Sequence, residues 1–200
     1  GRKLMFRRLT LSATLGALIL AASSCAEEAP KEEVPAPVAA DTAPKVEGPY
    51  YELTKETITS HPDWTSMNIT FRGAKLGDKG AAIEKALGVG ERSDPIGDHQ
   101  RTMFEKNKFA IYTHKMTAEL QKIEIFKVMA DQIADPQLKK LLSGGDLDYM
   151  RKTFGMEEMS ETNFNTSGME YAYDAKGFRF VKYNLAGQKV DSLIFSKIKK

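Results

Sequence analysis

The residues of this chain able to do chemistry are few and scattered. There is one cysteine, Cys25, and three histidines, His61, His99 and His114, without metal-ligand spacing. Asp94, Asp98 and His99 stand close together in DPIGDHQ, where two carboxylates and an imidazole have the makings of a small metal or acid–base cluster. Polar residues around Pro95 and Gly97 are also what a solvated turn requires, and the stretch is read first as that turn. Glu157 and Glu158 are adjacent carboxylates expected on a wet loop. The chain has no Gly-x-Ser-x-Gly elbow, no Walker loop and no His-Glu-x-x-His, and GVGERS does not complete a dinucleotide fingerprint. A catalytic reading needs convergent titratable groups, and spacing alone offers none, so no catalytic residue, metal or cofactor is expected.

A lone thiol closes no disulfide within its own chain. Cys25 is therefore a buried small residue, a reactive or metal-bound thiol, an intermolecular crosslink or a point of covalent modification. Its neighbours choose among these. Arg2, Lys3, Arg7 and Arg8 precede an apolar run from Leu9 to Leu20, and Ala21, Ala22, Ser23 and Ser24 lead up to the cysteine. That is the order of a secretory signal peptide over residues 1–24, with Met5 opening a well-proportioned leader and an apolar middle too short to span a bilayer. From Leu20 to Cys25 the chain resembles the lipobox of bacterial lipoproteins. The resemblance implies cleavage before Cys25, diacylation of its sulfur and acylation of the new amino group. Each buried methylene contributes about 0.8 kcal/mol and stable anchoring takes more than one acyl chain. Cys25 is thus expected to be a lipid attachment point. Ala26 stands where an Asp often retains such proteins in the inner membrane, which implies the outer membrane, facing the periplasm.

Removing that leader changes the charge argument. The chain has 29 basic and 27 acidic residues, but four of the basic ones lie before Cys25, leaving a net charge near −2. No concentrated basic patch marks a nucleic-acid partner. Between Ala26 and Pro49 lie five of the eight prolines and six acids, with no aromatic residue. Such a composition cannot bury enough apolar surface to offset chain ordering, so residues 25–49 are expected to be a lipidated, disordered tether. Fully extended at about 3.1 Å per residue, it would reach on the order of 70 Å.

Residues 50–200 carry most of the aromatic residues and are long enough for one domain or two small halves sharing a core. They repeat. LGDKGAAIEKALG (76–88) and SGGDLDYMRKTFG (143–155) each give a Gly/Asp loop, a short amphipathic helix and a terminal Gly. Ala82, Ile83, Ala86 and Leu87 form one apolar stripe, with Asp78 as expected N-cap; Leu147, Met150 and Phe154 form the other, with Asp146 as cap. DPQLKKLLSGG adds a helix with Asp135 as cap, Pro136 at its first position and Leu138, Leu141 and Leu142 on one face. Helices this short are marginal alone and need a sheet to pack on.

After each helix the period changes from helical to two. The first half gives a hairpin over RTMFEKNKFAIYTH, turning near Asn107 and Lys108, then LQKIEIFKV. The second gives MEYAYDAKGFRFVKY, turning at Asp174 to Gly177, then KVDSLIFSKI after a turn at Ala186 and Gly187. Phe109 and Ile111 correspond to Phe178 and Phe180, and Leu120, Ile123 and Ile125 to Val190, Leu193 and Phe195, at separations of 69 or 70 positions. The expected fold class is α+β: two tandem repeats, 50–133 and 134–200, each a helix and a three-stranded antiparallel meander. MNITFRG reads as a short strand ahead of the first helix, and Trp64 as a plug at a core edge.

ITFRGAKLGDKGAAIEKALG followed by a meander resembles the repeat unit of BamE, a small lipoprotein of the outer-membrane barrel-assembly machine, and two such units in tandem resemble the β-lactamase inhibitory protein architecture. The resemblance implies a noncatalytic domain, BamE-like or BLIP-like, that binds another envelope protein through a sheet face and exposed loops. On the face opposite the helices, alternation puts Tyr112, Arg179, Val181 and Tyr183, two residue types typical of contact anchors among them. The alternative is a small-ligand-binding or enzymatic lipoprotein using the groove between the repeats, with His99 or His114 in it.

Overall fold

The computed structural model describes residues 48–106, 108–163, 168–183, 187 and 189–198. Cys25, the leader, the tether up to residue 47, Asn107 and Ala186 lie outside the described residues. The chain enters through β1 (Tyr51–Glu52), β2 (Ile69–Phe71) and β3 (Ala74–Lys75), a three-stranded sheet in that order with β1 parallel and β3 antiparallel to β2. Helix α1 (Ala81–Leu87) precedes a first meander of four strands, β4 (Arg92–Ile96), β5 (His99–Phe104), β6 (Phe109–His114) and β7 (Leu120–Phe126). A 3-10 segment and the helices α2 (Pro136–Leu142) and α3 (Leu147–Phe154) lead to the second meander, β8 (Met159–Asn163), β9 (Gly168–Tyr173), β10 (Phe178–Lys182) and β11 (Ser192–Ser196).

The two meanders join into one eight-stranded sheet, ordered β4-β5-β6-β7-β11-β10-β9-β8, in which the paired neighbours are all antiparallel. Their last strands meet at the centre, with Ile123 opposite Phe195 and Ile125 opposite Leu193. The fold is α+β. Period-two burial explains it: Phe109, Ile111, Ile123, Ile125, Phe178, Phe180, Leu193 and Phe195 all turn to one face and share a core with Ile83 of α1, Leu138, Leu141 and Leu142 of α2, and Met150 of α3. Burying each such large apolar side chain contributes about 1.5–3 kcal/mol. Rings close the packing, with Phe154 of α3 over Phe178 and Phe180 at 5.6 and 5.4 Å and Phe104 stacked on Phe109 at 4.8 Å. Trp64 is buried against Phe178, at the core edge where its setting had put it.

Two helix starts follow the sequence. Asp146 accepts the Tyr149 N–H at 2.8 Å, and Asp135 accepts those of Gln137 and Leu138 at 2.9 and 3.0 Å. The other Asp135 oxygen takes the Thr59 N–H and hydroxyl at 2.8 and 2.6 Å, so one fully buried carboxylate ties the entry segment to α2. The first helix departs from expectation. Its N-cap is Gly80, at φ 41°, because Asp78 instead closes the preceding turn by accepting the Lys75 N–H; Ala82 is exposed, and Ile83 is the residue buried.

The strand count also departs. Each meander has four strands rather than three, the extra ones being the sheet edges β4 and β8. Part of DPIGDHQ is therefore strand, with Asp94 in β4, His99 opening β5 and only Gly97 and Asp98 left as the turn. Glu157 is not on a wet loop: its side chain is 7 % exposed and takes two bonds from Arg151, at 3.0 and 2.6 Å. MNITFRG does form a strand before α1, but in the small sheet. Among the described residues no helix is long and apolar enough to cross a membrane.

Candidate functional site

The face of the large sheet turned away from the helices is built from the residues that alternate with the core set. It takes His99 and Arg101 from β5, Tyr112 and His114 from β6, Lys122 and Glu124 from β7, Ile194 and Ser196 from β11, and Arg179 and Val181 from β10. Tyr183, just beyond β10, joins them. All four residues expected as contact anchors thus stand on that face, in two different roles.

Tyr112 and Tyr183 turn inward on Glu124. This carboxylate is fully buried, and it accepts the Tyr112 hydroxyl at 2.7 Å, the Ser192 hydroxyl at 2.8 Å and a short bond from the Tyr183 hydroxyl. Arg101 adds a cation 3.6 Å away, its guanidinium lying over the Tyr112 ring on which Lys122 also packs. Burial, then the charge of Glu124, pushes both phenols well above the ordinary tyrosine range. They remain protonated donors. Val181 is buried beside them.

Arg179 faces a groove of about 720 Å³ that runs across both meanders. Its guanidinium is held by three carboxylates, Glu161 at 2.7 Å, Glu170 at 3.0 Å and Asp174 at 3.2 Å. Burial works against the charge of Arg179, but its hydrogen bonds to Glu170 and Glu161 outweigh that and raise its pKa. On the opposite side the groove is lined by His99 and Lys122, with Ile194 between, Met159 at the far edge, and Lys197, itself paired with Glu119, near the chain end.

His99 and His114, remote in sequence, are directly opposite one another on β5 and β6, with ring centroids 6.3 Å apart. Burial first, then the positive Lys122 and His114, hold the His99 imidazole below its ordinary pKa, Asp98 pulling weakly the other way. It is neutral near pH 7. His114 accepts the Thr117 N–H on Nδ1 at 3.3 Å. Asp94 pairs instead with Arg92 at 2.8 Å, and among the described residues no group of three or more His, Cys, Asp or Glu is placed to hold a metal ion. Of the DPIGDHQ trio only His99 reaches the groove. His61, the third histidine, stacks on Tyr51 away from this face.

Sequence reasoning missed Glu124, Glu161, Glu170 and Lys122. The signal was present for two of them, since the period that sends Ile123 and Ile125 inward sends Lys122 and Glu124 to the face of Tyr112.

No family model and no curated protein matches the chain. Two solved structures are similar to it in part. One is a DUF4309 family protein of Bacillus subtilis, 16 % identical, with a TM-score of 0.45 over 63 % of this chain and 84 % of that one. The other is a cysteine-rich secretory protein of Staphylococcus aureus, 9 % identical, with a TM-score of 0.37 over 74 % of this chain and half the length of that one.

Proposed function

We propose that this protein is a lipid-anchored component of the bacterial cell envelope, fastened through Cys25 to the outer membrane and facing the periplasm. Its body, read as two BamE-like units over 50–133 and 134–200 in a BLIP-like tandem, binds another protein and catalyses nothing. The observation that carries the reading is the groove on the helix-free sheet face, which spans both meanders and is lined by paired charges. A pocket for a small apolar ligand is mostly apolar and closed over its occupant, whereas charged, open surface suits a protein partner. In this reading Arg179 meets the partner, while Tyr112, Val181 and Tyr183 fix the floor beneath it.

Two measurements test the proposal. Mass spectrometry of the mature N-terminal peptide should find acyl groups on Cys25 and no leader. Photo-crosslinking in cells should join the protein to one envelope partner from groove positions and not from the helices. A second reading makes the same groove a small-ligand or catalytic site, and the neutral His99 in its wall supports it. Native mass spectrometry finding a stoichiometric small ligand, with no crosslinked protein, would favour that one.

A further inference from the structure

The large sheet is open, and its two edges differ. Among the described residues neither β4 nor β8 has a strand on its outer side, so each offers unpaired backbone N–H and C=O groups to solvent. β4 is protected. Pro95 withdraws a donor from it, and the Arg92–Asp94 ion pair at 2.8 Å puts charge along it. β8, with the sequence MSETN, has neither proline nor lysine, and Met159, Ser160, Glu161 and Thr162 are all exposed. It is also the rim of the groove, which Met159 and Glu161 line.

Resting on the docking reading above, we propose that the partner protein contributes one extended strand that pairs antiparallel with the outer edge of β8 and lengthens the sheet. Every paired neighbour in this sheet is already antiparallel. Backbone hydrogen bonds supply the affinity and alternate side chains the selectivity. Residues directly opposite in such a pair share a face, so the partner residue opposite Glu161 stands over the groove. That residue is basic, because the Glu161 side chain is 46 % exposed and the guanidinium it holds, that of Arg179, also serves Glu170 and Asp174. Two positions further along the partner, the residue opposite Met159 shares that face and is apolar, covering a side chain that is 39 % exposed. The strand thus carries basic-x-apolar from N- to C-terminus. Register argues against a second copy of this chain. Twofold pairing of β8 with itself over its whole length sets Glu161 against Glu161, and slipping by two positions to avoid this leaves only part of the strand paired.

The test selects a phage-displayed random dodecapeptide library on the full-length protein and follows amide hydrogen exchange with an enriched peptide bound. Enriched peptides should share basic-x-apolar, and binding should slow exchange within Met159–Asn163 while leaving β4 unchanged. N-methylation at alternate peptide residues should abolish binding along one edge of the peptide and spare it along the other, as a strand bonded on one side requires. Glu161→Gln, checked for native circular dichroism, should remove the basic preference and weaken the enriched peptides about two- to fivefold, whereas Arg92→Glu on β4 should change neither. Enrichment of no peptide or of peptides lacking the basic residue, protection that bypasses β8, binding indifferent to N-methylation, or dimers that protect β8 without any peptide would overturn the proposal. Its failure is distinguishable from failure of the docking reading: a discrete protein crosslinked from the groove while β8 stays unprotected by peptides sinks only the strand, and β8 protection without a crosslinked protein in cells sinks the docking.

Discussion

Tyr112 and Tyr183 belong to different meanders, yet their hydroxyls donate to the two oxygens of one carboxylate, Glu124. The helix-free face is thereby locked across the seam between the halves by hydrogen bonds, as the opposite face is locked by apolar packing. A buried acceptor with this many donors is costly to delete, because each donor loses its partner where water cannot replace it. Glu124→Ala should destabilise the protein by about 3–5 kcal/mol and Glu124→Gln by less, the amide still accepting through one oxygen. Urea unfolding measures both; a loss below about 1 kcal/mol in the alanine variant would show that the cluster is not holding the seam.

Asp135 is the second buried carboxylate whose removal has a defined cost. It caps α2 and also binds Thr59, so Asp135→Ala should lose the roughly 0.5–2 kcal/mol of a cap and a further one or so for the lost tie. Hydrogen exchange separates the two: the Thr59 amide should exchange faster, together with those of Gln137 and Leu138. Protection unchanged at Thr59 would deny the tie.

His99 predicts a pH dependence with a definite sign. Its folded pKa lies below the unfolded value near 6.5, through burial and the nearby Lys122 and His114, with Lys115 adding to the depression and Asp98 opposing it. The unfolded chain therefore takes up the proton first as pH falls below about 6.5, and stability drops until the folded pKa is passed. Above pH 7 both states are neutral and the contribution vanishes. His99→Gln should flatten the stability profile in that window, and NMR titration should show His99 protonating below the ordinary range; a raised value would reverse the sign.

Gly177 sits in the β9–β10 turn at φ 72°, where a Cβ would come within 2.0 Å of the Ser66 hydroxyl and 2.8 Å of the Ser196 carbonyl oxygen. Strain and crowding act together there. Gly177→Ala should cost well over the ~1 kcal/mol that positive φ alone carries. Thermal unfolding checks this, and a variant within 0.5 kcal/mol of the parent, on the order of an innocuous surface change, would contradict the geometry.

The parts of the fold legible in the sequence were those where two signals coincide. α2 had a buried cap, a proline at its first turn and a leucine face; α3 had Asp146 and Gly155; the central strands alternated clearly because one side of each is fully buried. The edges β4 and β8 were not legible, since MSETN has little apolar alternation and RSDPI contains Pro95, which a sheet tolerates only at its edge. The candidate site was half legible. Alternation assigned Tyr112, Arg179, Val181 and Tyr183 to the right face, but which of them meets solvent depends on Glu124, 12 residues from Tyr112 and 59 from Tyr183, and such pairing is set by the β6–β7 register for Tyr112 and by the β7–β11 and β11–β10 registers for Tyr183 rather than by local pattern. His99 and His114 came together for the same reason, through the β5–β6 register.

The most direct test of docking through the helix-free face is photo-crosslinking in living cells, with a photoreactive residue placed singly at Met159 and Ser196 in the groove and at Lys85 and Lys152 on the exposed sides of α1 and α3. The account predicts one discrete crosslinked protein, the same from both groove positions and absent from both helix positions. Crosslinks that arise equally from the helices, or none from the groove, would contradict it.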